Sequence, residues 1–143
     1  DRATVALPLQ WCLRDVHIGN FLFTGDVVTG LVDFGATTVD SVAGDLARLF
    51  GSVASDRRRV WQGAFQSYEQ RRPISSDELH AISAYDIGGT IGSTANWLRW
   101  RFVEDRAVAD MAITQSRFRS LAARIKALSI GEGMFSGKLR PKT

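Results

Sequence analysis

Three oxygen-bearing side chains near the start of the sequence have the types and spacing of a phosphate-handling site. They are Asp15, Asn20 five residues on, and Asp33 thirteen further. Mg²⁺ prefers oxygen ligands and takes one or two protein donors, completing its shell with phosphate oxygens and water. Asn20 and Asp33 suit that task. Asp15 is then left to orient a hydroxyl and accept its proton. Transfer of a phosphoryl group needs this division of labour, because positioning and charge neutralisation do most of the work.

For the three groups to act together, the chain between them must fold back on itself. Asp15 and Asn20 lie in a polar loop that leads into the apolar run Phe21-Leu22-Phe23. Thr24-Gly25-Asp26 is a turn signal, and Val27 to Val32 is a second β-branched run that ends at Asp33. The pattern predicts a β-hairpin that lets the three groups converge. Asp26, Asp40 and Asp56 lack such partners in sequence and read as turn or cap residues.

With these residues in view, a resemblance emerges. Leu13-Arg14-Asp15-Val16-His17-Ile18-Gly19-Asn20 resembles the catalytic loop of kinase-like phosphotransferases, and its His17-x-Gly19-Asn20 ending is closest to the aminoglycoside and choline kinase branch. Val32-Asp33-Phe34-Gly35 resembles the metal-binding Asp-Phe-Gly element, and Gly44-Asp45-Leu46-Ala47 the Asp-Leu-Ala that opens the following helix. The order and spacing of all three motifs agree.

The resemblance implies Asp15 as catalytic base, Asn20 and Asp33 as ligands of Mg²⁺ and ATP, and Arg14, His17 and Asp45 as supporting residues. Asp45 would brace the catalytic-loop backbone with its carboxylate, as an N-cap type residue. His17 reads as a loop brace. The branch usually has His-Gly before the Asp, and here Leu13-Arg14 stands there.

The fold implied is α+β, mainly α: the C-terminal, helical lobe of a protein-kinase-like fold, with a small hairpin carrying the catalytic and metal-binding loops. That lobe would span residues 1–129, with 130–143 a flexible tail. The Gly-rich loop, Lys and Glu of the preceding nucleotide lobe have no counterpart in these residues, and there is no G-x-x-x-x-G-K-[ST] to replace them. The chain is therefore expected to begin just before the catalytic loop and to be inactive alone. Its exposed apolar face would favour a homodimer. The acceptor would be a small-molecule alcohol or amino alcohol, of the aminoglycoside, choline or homoserine kind. The alternative is a pseudokinase-like binding or scaffold module.

Composition is compatible with this. The 143 residues are 45% hydrophobic and 23% charged, as in an ordinary globular domain. The single Cys12 excludes an internal disulfide and fits a reducing, cytoplasmic setting. It reads as a small core residue. Net charge is +3, and Arg57-Arg58-Arg59 and Arg71-Arg72 read as solvated helix faces, so nucleic acid is not an expected partner. No apolar run reaches the ~18 residues of a membrane helix.

Apolar periodicity predicts helices from Asp45 to about Val53, from a cap at Ser55-Asp56 to about Arg72, from Ser75 to about Val103, and from about Arg106 to Leu128. The third helix carries an inward stripe of Leu79, Ile82, Ile87, Ile91, Ala95, Leu98 and Phe102. The fourth buries Met111, Phe118, Leu121, Ala122, Ile125 and Leu128. Gly88, Gly89 and Gly92 read as close packing or a kink. Tyr85, Asp86, Trp97, Trp100, Glu104 and Asp105 bring together aromatic faces and carboxylates of a kind that suits an amine, but Trp97 and Trp100 at i, i+3 read first as core residues.

Overall fold

A computed structural model of the chain describes residues 5–54, 57–104 and 111–129. These form an α+β arrangement, mainly helical, with small antiparallel sheets. One compact unit ends at Asp86 and a second begins at Ile87, so the boundary falls inside a helix.

In the first unit, β1 (Gln10–Cys12) pairs antiparallel with β4 (Thr38–Asp40), in register Gln10 to Asp40 and Cys12 to Thr38. Between them lies a hairpin of β2 (Phe21–Thr24) and β3 (Val27–Leu31), paired from Phe21–Leu31 to Thr24–Val27. The Gly25-Asp26 turn joins them, and Gly25 supplies the left-handed φ of 59° that such a turn requires. Gly30 sits across from Leu22, where a Cβ would lie 3.2 Å from the leucine Cδ1. The turn of 3-10 helix Ile18–Asn20 feeds directly into β2.

Helix α1 (Val42–Ala54) begins three residues before the sequence reading places it. Ser41, not Asp45, caps it: the Ser41 hydroxyl accepts the Ala43 N–H at 3.3 Å. Val42 and Ala43 are buried, which draws the helix back to them. Asp45 instead sits in the first turn. The core of this unit combines Cys12, Val16, Leu46, Phe50, Trp61, Phe65 and Ile82. Phe50 meets Trp61 edge to face, with ring centres 5.2 Å apart.

Helix α2 spans Arg58–Glu69. The cap expected at Ser55-Asp56 lies outside the described residues, and Arg57 holds the N-cap position without a side-chain bond. Trp61 and Phe65 bury their side chains, while Val60 is exposed.

Helix α3 (Ser76–Phe102) opens with a reciprocal cap. The Ser75 hydroxyl accepts the Glu78 N–H at 3.1 Å, and Glu78 Oε2 accepts the Ser75 N–H at 3.0 Å. Arg72 Nη2 donates to Glu78 Oε1 at 2.7 Å, so each oxygen of this buried carboxylate has a partner.

The expected inward stripe of α3 needs correction. Ile82 is fully buried, but Ile87, Ile91, Leu98 and Phe102 are exposed. The buried positions run Glu78, Ile82, Asp86 and Thr90, four residues apart. Apolar residues occur all round this helix, so periodicity alone could not select its inner face. Hydrogen bonding makes the polar positions acceptable inside: Glu78 has Arg72, and Thr90 Oγ1 accepts Arg124 Nε at 3.0 Å. Nor do Gly88, Gly89 and Gly92 mark close packing. A Cβ at each would meet nothing within 4 Å among the described residues, and the helix continues unbroken through them.

The second unit also contains α4 (Met111–Ser129). Trp97 stands edge-on to both Trp100 and Phe118, with ring centres 5.7 and 6.1 Å away. Thr114 is buried, while Ala122 and Ile125, expected inside, are exposed. The side chains of Met111 and Leu128, residues 106–110 and the expected tail at 130–143 lie outside the described residues. No described helix is long and apolar enough to cross a membrane.

Candidate functional site

The loop from Leu13 to Asn20 is held from one side by α1. Asp45 Oδ2 accepts the Leu13 N–H at 2.7 Å, and its Oδ1 accepts the Arg14 N–H at 2.8 Å. Ser52 Oγ accepts the Ile18 N–H at 3.0 Å while donating to the Leu49 carbonyl. Between them in the helix, Arg48 reaches Asp15 itself. Its Nε donates to Asp15 Oδ1 at 2.7 Å, and its Nη2 donates to the same oxygen. Asp45, Arg48 and Ser52 follow one another at i, i+3 and i+7, the spacing of a single helix face.

Inside the loop, His17 caps the 3-10 turn: its Nδ1 accepts the Gly19 N–H at 3.1 Å. Its neutral ring therefore carries the proton on Nε2, which lies 3.9 Å from Asp15 Oδ1. A Cβ on Gly19 would approach His17 Cε1 to 2.9 Å, so this cap requires glycine there. Asn20 is buried, and its Nδ2 donates to the Asp15 carbonyl at 2.9 Å. That bond uses the amide N–H₂, and the amide oxygen accepts no hydrogen bond from any described residue.

The hairpin brings Asp33 to the same end. The Asn20 carbonyl accepts the Val32 N–H at 2.9 Å, one step beyond the Phe21–Leu31 pair, so the ribbon returns the chain to the Asn20 end just before Asp33. Asp33 is exposed and makes no ion pair among the described residues. Arg14 and Asp33 both have φ 65°, the left-handed region that non-glycine residues rarely occupy. Such strain concentrates where surrounding structure fixes a backbone for function.

Two features lie outside the sequence reading. Asp15 is not free of protein partners, because Arg48 occupies one of its oxygens. Arg48 looks locally like any solvated helix residue, and only its place between Asp45 and Ser52 on one face signals the contact. Asp40, read as a simple turn residue, pairs with Arg14 Nη1 through Oδ2 and accepts the Ser41 N–H at 2.7 Å through Oδ1.

Cys12 is buried next to this network and its Sγ donates to the Asp40 carbonyl at 3.3 Å. Burial, reinforced by the charge of Asp45, pushes its thiol up, which keeps it protonated. Of the acidic residues toward the end of α3, Glu104 pairs with Arg99 at 2.9 Å, and Asp105 lies outside the described residues.

Does this donor set suit a magnesium ion? Among the described residues, no three His, Cys, Asp or Glu side chains gather as a metal cage. An Mg²⁺ that shares its shell with phosphates and water needs no such cage. One amide oxygen and one unpaired carboxylate at the open end of a ribbon are hard donors of the right type. Beneath the hairpin is an apolar cavity of about 200 Å³ lined by Ile18, Phe21, Phe23, Leu49, Phe50 and Val53 among others, which offers no polar chemistry.

Comparison with known proteins agrees with the motifs. A family model described as APH, phosphotransferase enzyme family, matches residues 1–85. No curated protein matches the chain.

Proposed function

The chain belongs to the phosphotransferase enzyme family, and on that premise we propose that it is the catalytic, helical lobe of an ATP-dependent kinase acting on a small-molecule hydroxyl. Asp15 orients the acceptor hydroxyl and takes its proton. The hydroxyl oxygen forms a bond to the γ-phosphorus, the bond to the β–γ bridging oxygen breaks, and ADP leaves with the electron pair. Asn20 and Asp33 would hold Mg²⁺, whose charge offsets that of the phosphate oxygens. Arg14, His17 and Asp45 keep the loop in shape. A cytoplasmic setting, where ATP is available, goes with this reading.

The observation that carries the proposal is the double role of Asn20. Its side-chain N–H₂ fastens Asp15 and its carbonyl fastens the strand ahead of Asp33. One residue thus ties the proposed base to the proposed metal ligands. The test is Asp15→Ala in the full-length protein, assayed for phosphate transfer from ATP to kanamycin, choline and homoserine. A positioned general base contributes roughly 10²–10⁴ in rate, so turnover should fall by that order with folding intact. Retained turnover removes Asp15 from the catalytic role.

Leu13 stands where the branch places a histidine, which favours a second reading, a non-catalytic nucleotide-binding module. Mg-ATP binding without transfer to any acceptor, or to water, would select it.

A further inference from the structure

We infer that Arg48 is a positioning residue for Asp15: it anchors one carboxylate oxygen so that the other is presented to the acceptor hydroxyl. The inference rests on the reading of Asp15 as the proton acceptor.

Both guanidinium contacts, from Nε and from Nη2, converge on Oδ1 of Asp15. His17 Nε2 lies 3.9 Å from that same atom. Oδ2 takes no hydrogen bond from any described residue. The two oxygens of one carboxylate are thus placed in different surroundings, one held and one open. The acceptor proton passes to Oδ2, while Oδ1 keeps its bonds to Arg48 throughout.

The position of Arg48 explains why this contact matters more than an ordinary surface pair. Asp45 and Ser52, on the same face of α1, hold the loop backbone at Leu13, Arg14 and Ile18. Those bonds fix the Cα of Asp15 but leave its side-chain torsions free. Arg48 removes that freedom before the hydroxyl arrives. Misplacing a reacting group by about 1 Å costs on the order of 10²-fold in rate. Arg48 and Asp15 are 46% and 36% exposed, so the pair contributes little to folding, about 0–1 kcal/mol. A planar guanidinium fork holds a carboxylate in one orientation, whereas a lysine ammonium supplies charge without that orientation.

The experiment compares wild type, Arg48→Met, Arg48→Lys and Asp15→Asn in the full-length protein. ATP hydrolysis with water as acceptor gives kcat and KM, calorimetric titration gives Mg-ATP affinity, and thermal unfolding gives Tm. Arg48→Met should lower kcat about tenfold or more, with KM for ATP, Mg-ATP affinity and Tm close to wild type. Arg48→Lys should recover part of the loss. Wild-type kcat in Arg48→Met beside a dead Asp15→Asn overturns the inference and leaves the functional reading standing. A loss matched by weaker Mg-ATP binding also overturns it, because Arg48 would then serve the nucleotide. If Arg48→Met does not fold, Arg48→Lys decides: reduced kcat supports positioning, wild-type kcat overturns it. Wild-type turnover in Asp15→Asn, or no hydrolysis by wild type, overturns the functional reading and the inference with it.

Discussion

Asp45 carries the backbone of Arg14, accepting its N–H at 2.8 Å while Arg14 sits at a φ of 65°. A non-glycine residue held in that region costs of order 1–3 kcal/mol. The second oxygen of Asp45 takes the Leu13 N–H, so two charge-assisted bonds hold the strained link immediately before Asp15. The strain and its restraint belong together: the left-handed turn at Arg14 is what redirects the chain from β1 into the loop.

Asp45→Asn isolates this restraint. An amide has one acceptor oxygen, and its N–H₂ would face a backbone N–H, so one of the two bonds must be lost. The expected cost is about 1–3 kcal/mol, measured as a lower urea midpoint at unchanged slope. A midpoint equal to wild type would mean that the carboxylate does not hold both N–H groups in solution.

Arg14 itself separates backbone from side chain. Its pairing with Asp40 is largely exposed, and such pairs contribute about 0–1 kcal/mol. Asn tolerates the left-handed region and β-branched residues do not. Arg14→Asn should therefore stay within about 1 kcal/mol of wild type, while Arg14→Val should lose about 2 kcal/mol or more. Equal stability of the two variants would show that the chain relaxes out of the left-handed conformation.

The carboxylate that opens α3 gives the protein a pH dependence. Burial pushes the Glu78 carboxyl up, but the bonds from Arg72 and from the Ser75 N–H and hydroxyl outweigh it, and the net shift is downward. Arg72 is raised in turn, chiefly by its bond to Glu78. Because the folded Glu78 binds its proton less readily than the unfolded one, its contribution is complete above the ordinary glutamate range. It is lost as pH falls through the lowered folded value. Unfolding titrations from pH 7 down to 3 should show this loss, and Glu78→Gln should flatten it. Arg72→Met leaves a buried carboxylate short of its cation and should cost about 3 kcal/mol at pH 7. A wild-type-like acid slope in Glu78→Gln would assign the dependence to other carboxylates.

How far the sequence reached follows from which interactions are local. The hairpin was legible because Gly25 and the two flanking apolar runs are adjacent in the chain, and the Asp15, Asn20 and Asp33 spacing could be read with it. The β1–β4 pairing was not, since it joins three-residue strands across 28 positions with a whole hairpin between them. The start of α1 was missed because Gly44 masks a helix that Ser41 caps and the core pulls back to Val42. In α3, apolar residues on every side hid the buried file of Glu78, Ile82, Asp86 and Thr90. Arg48 was invisible for a related reason: its partner lies 33 residues away, and nothing beside it in sequence names that partner.

The proposed metal ligands can be told apart by what else each one holds. Asp33 has no other partner among the described residues, so Asp33→Asn should remove metal affinity and little else. Asn20 also anchors the Asp15 carbonyl through its N–H₂. Asn20→Asp keeps an oxygen ligand but loses that donor, leaving metal binding in place and Asp15 misplaced. A ligand at 100 times its Kd stabilises by about 2.7 kcal/mol, so Mg-ATP should raise Tm for wild type and Asn20→Asp. The increase should vanish with EDTA and be largely absent in Asp33→Asn. Catalysis should fail in both variants, for different reasons. An Asp33→Asn protein that keeps the full magnesium-dependent increase would remove Asp33 from the ion and leave the hairpin without its proposed purpose.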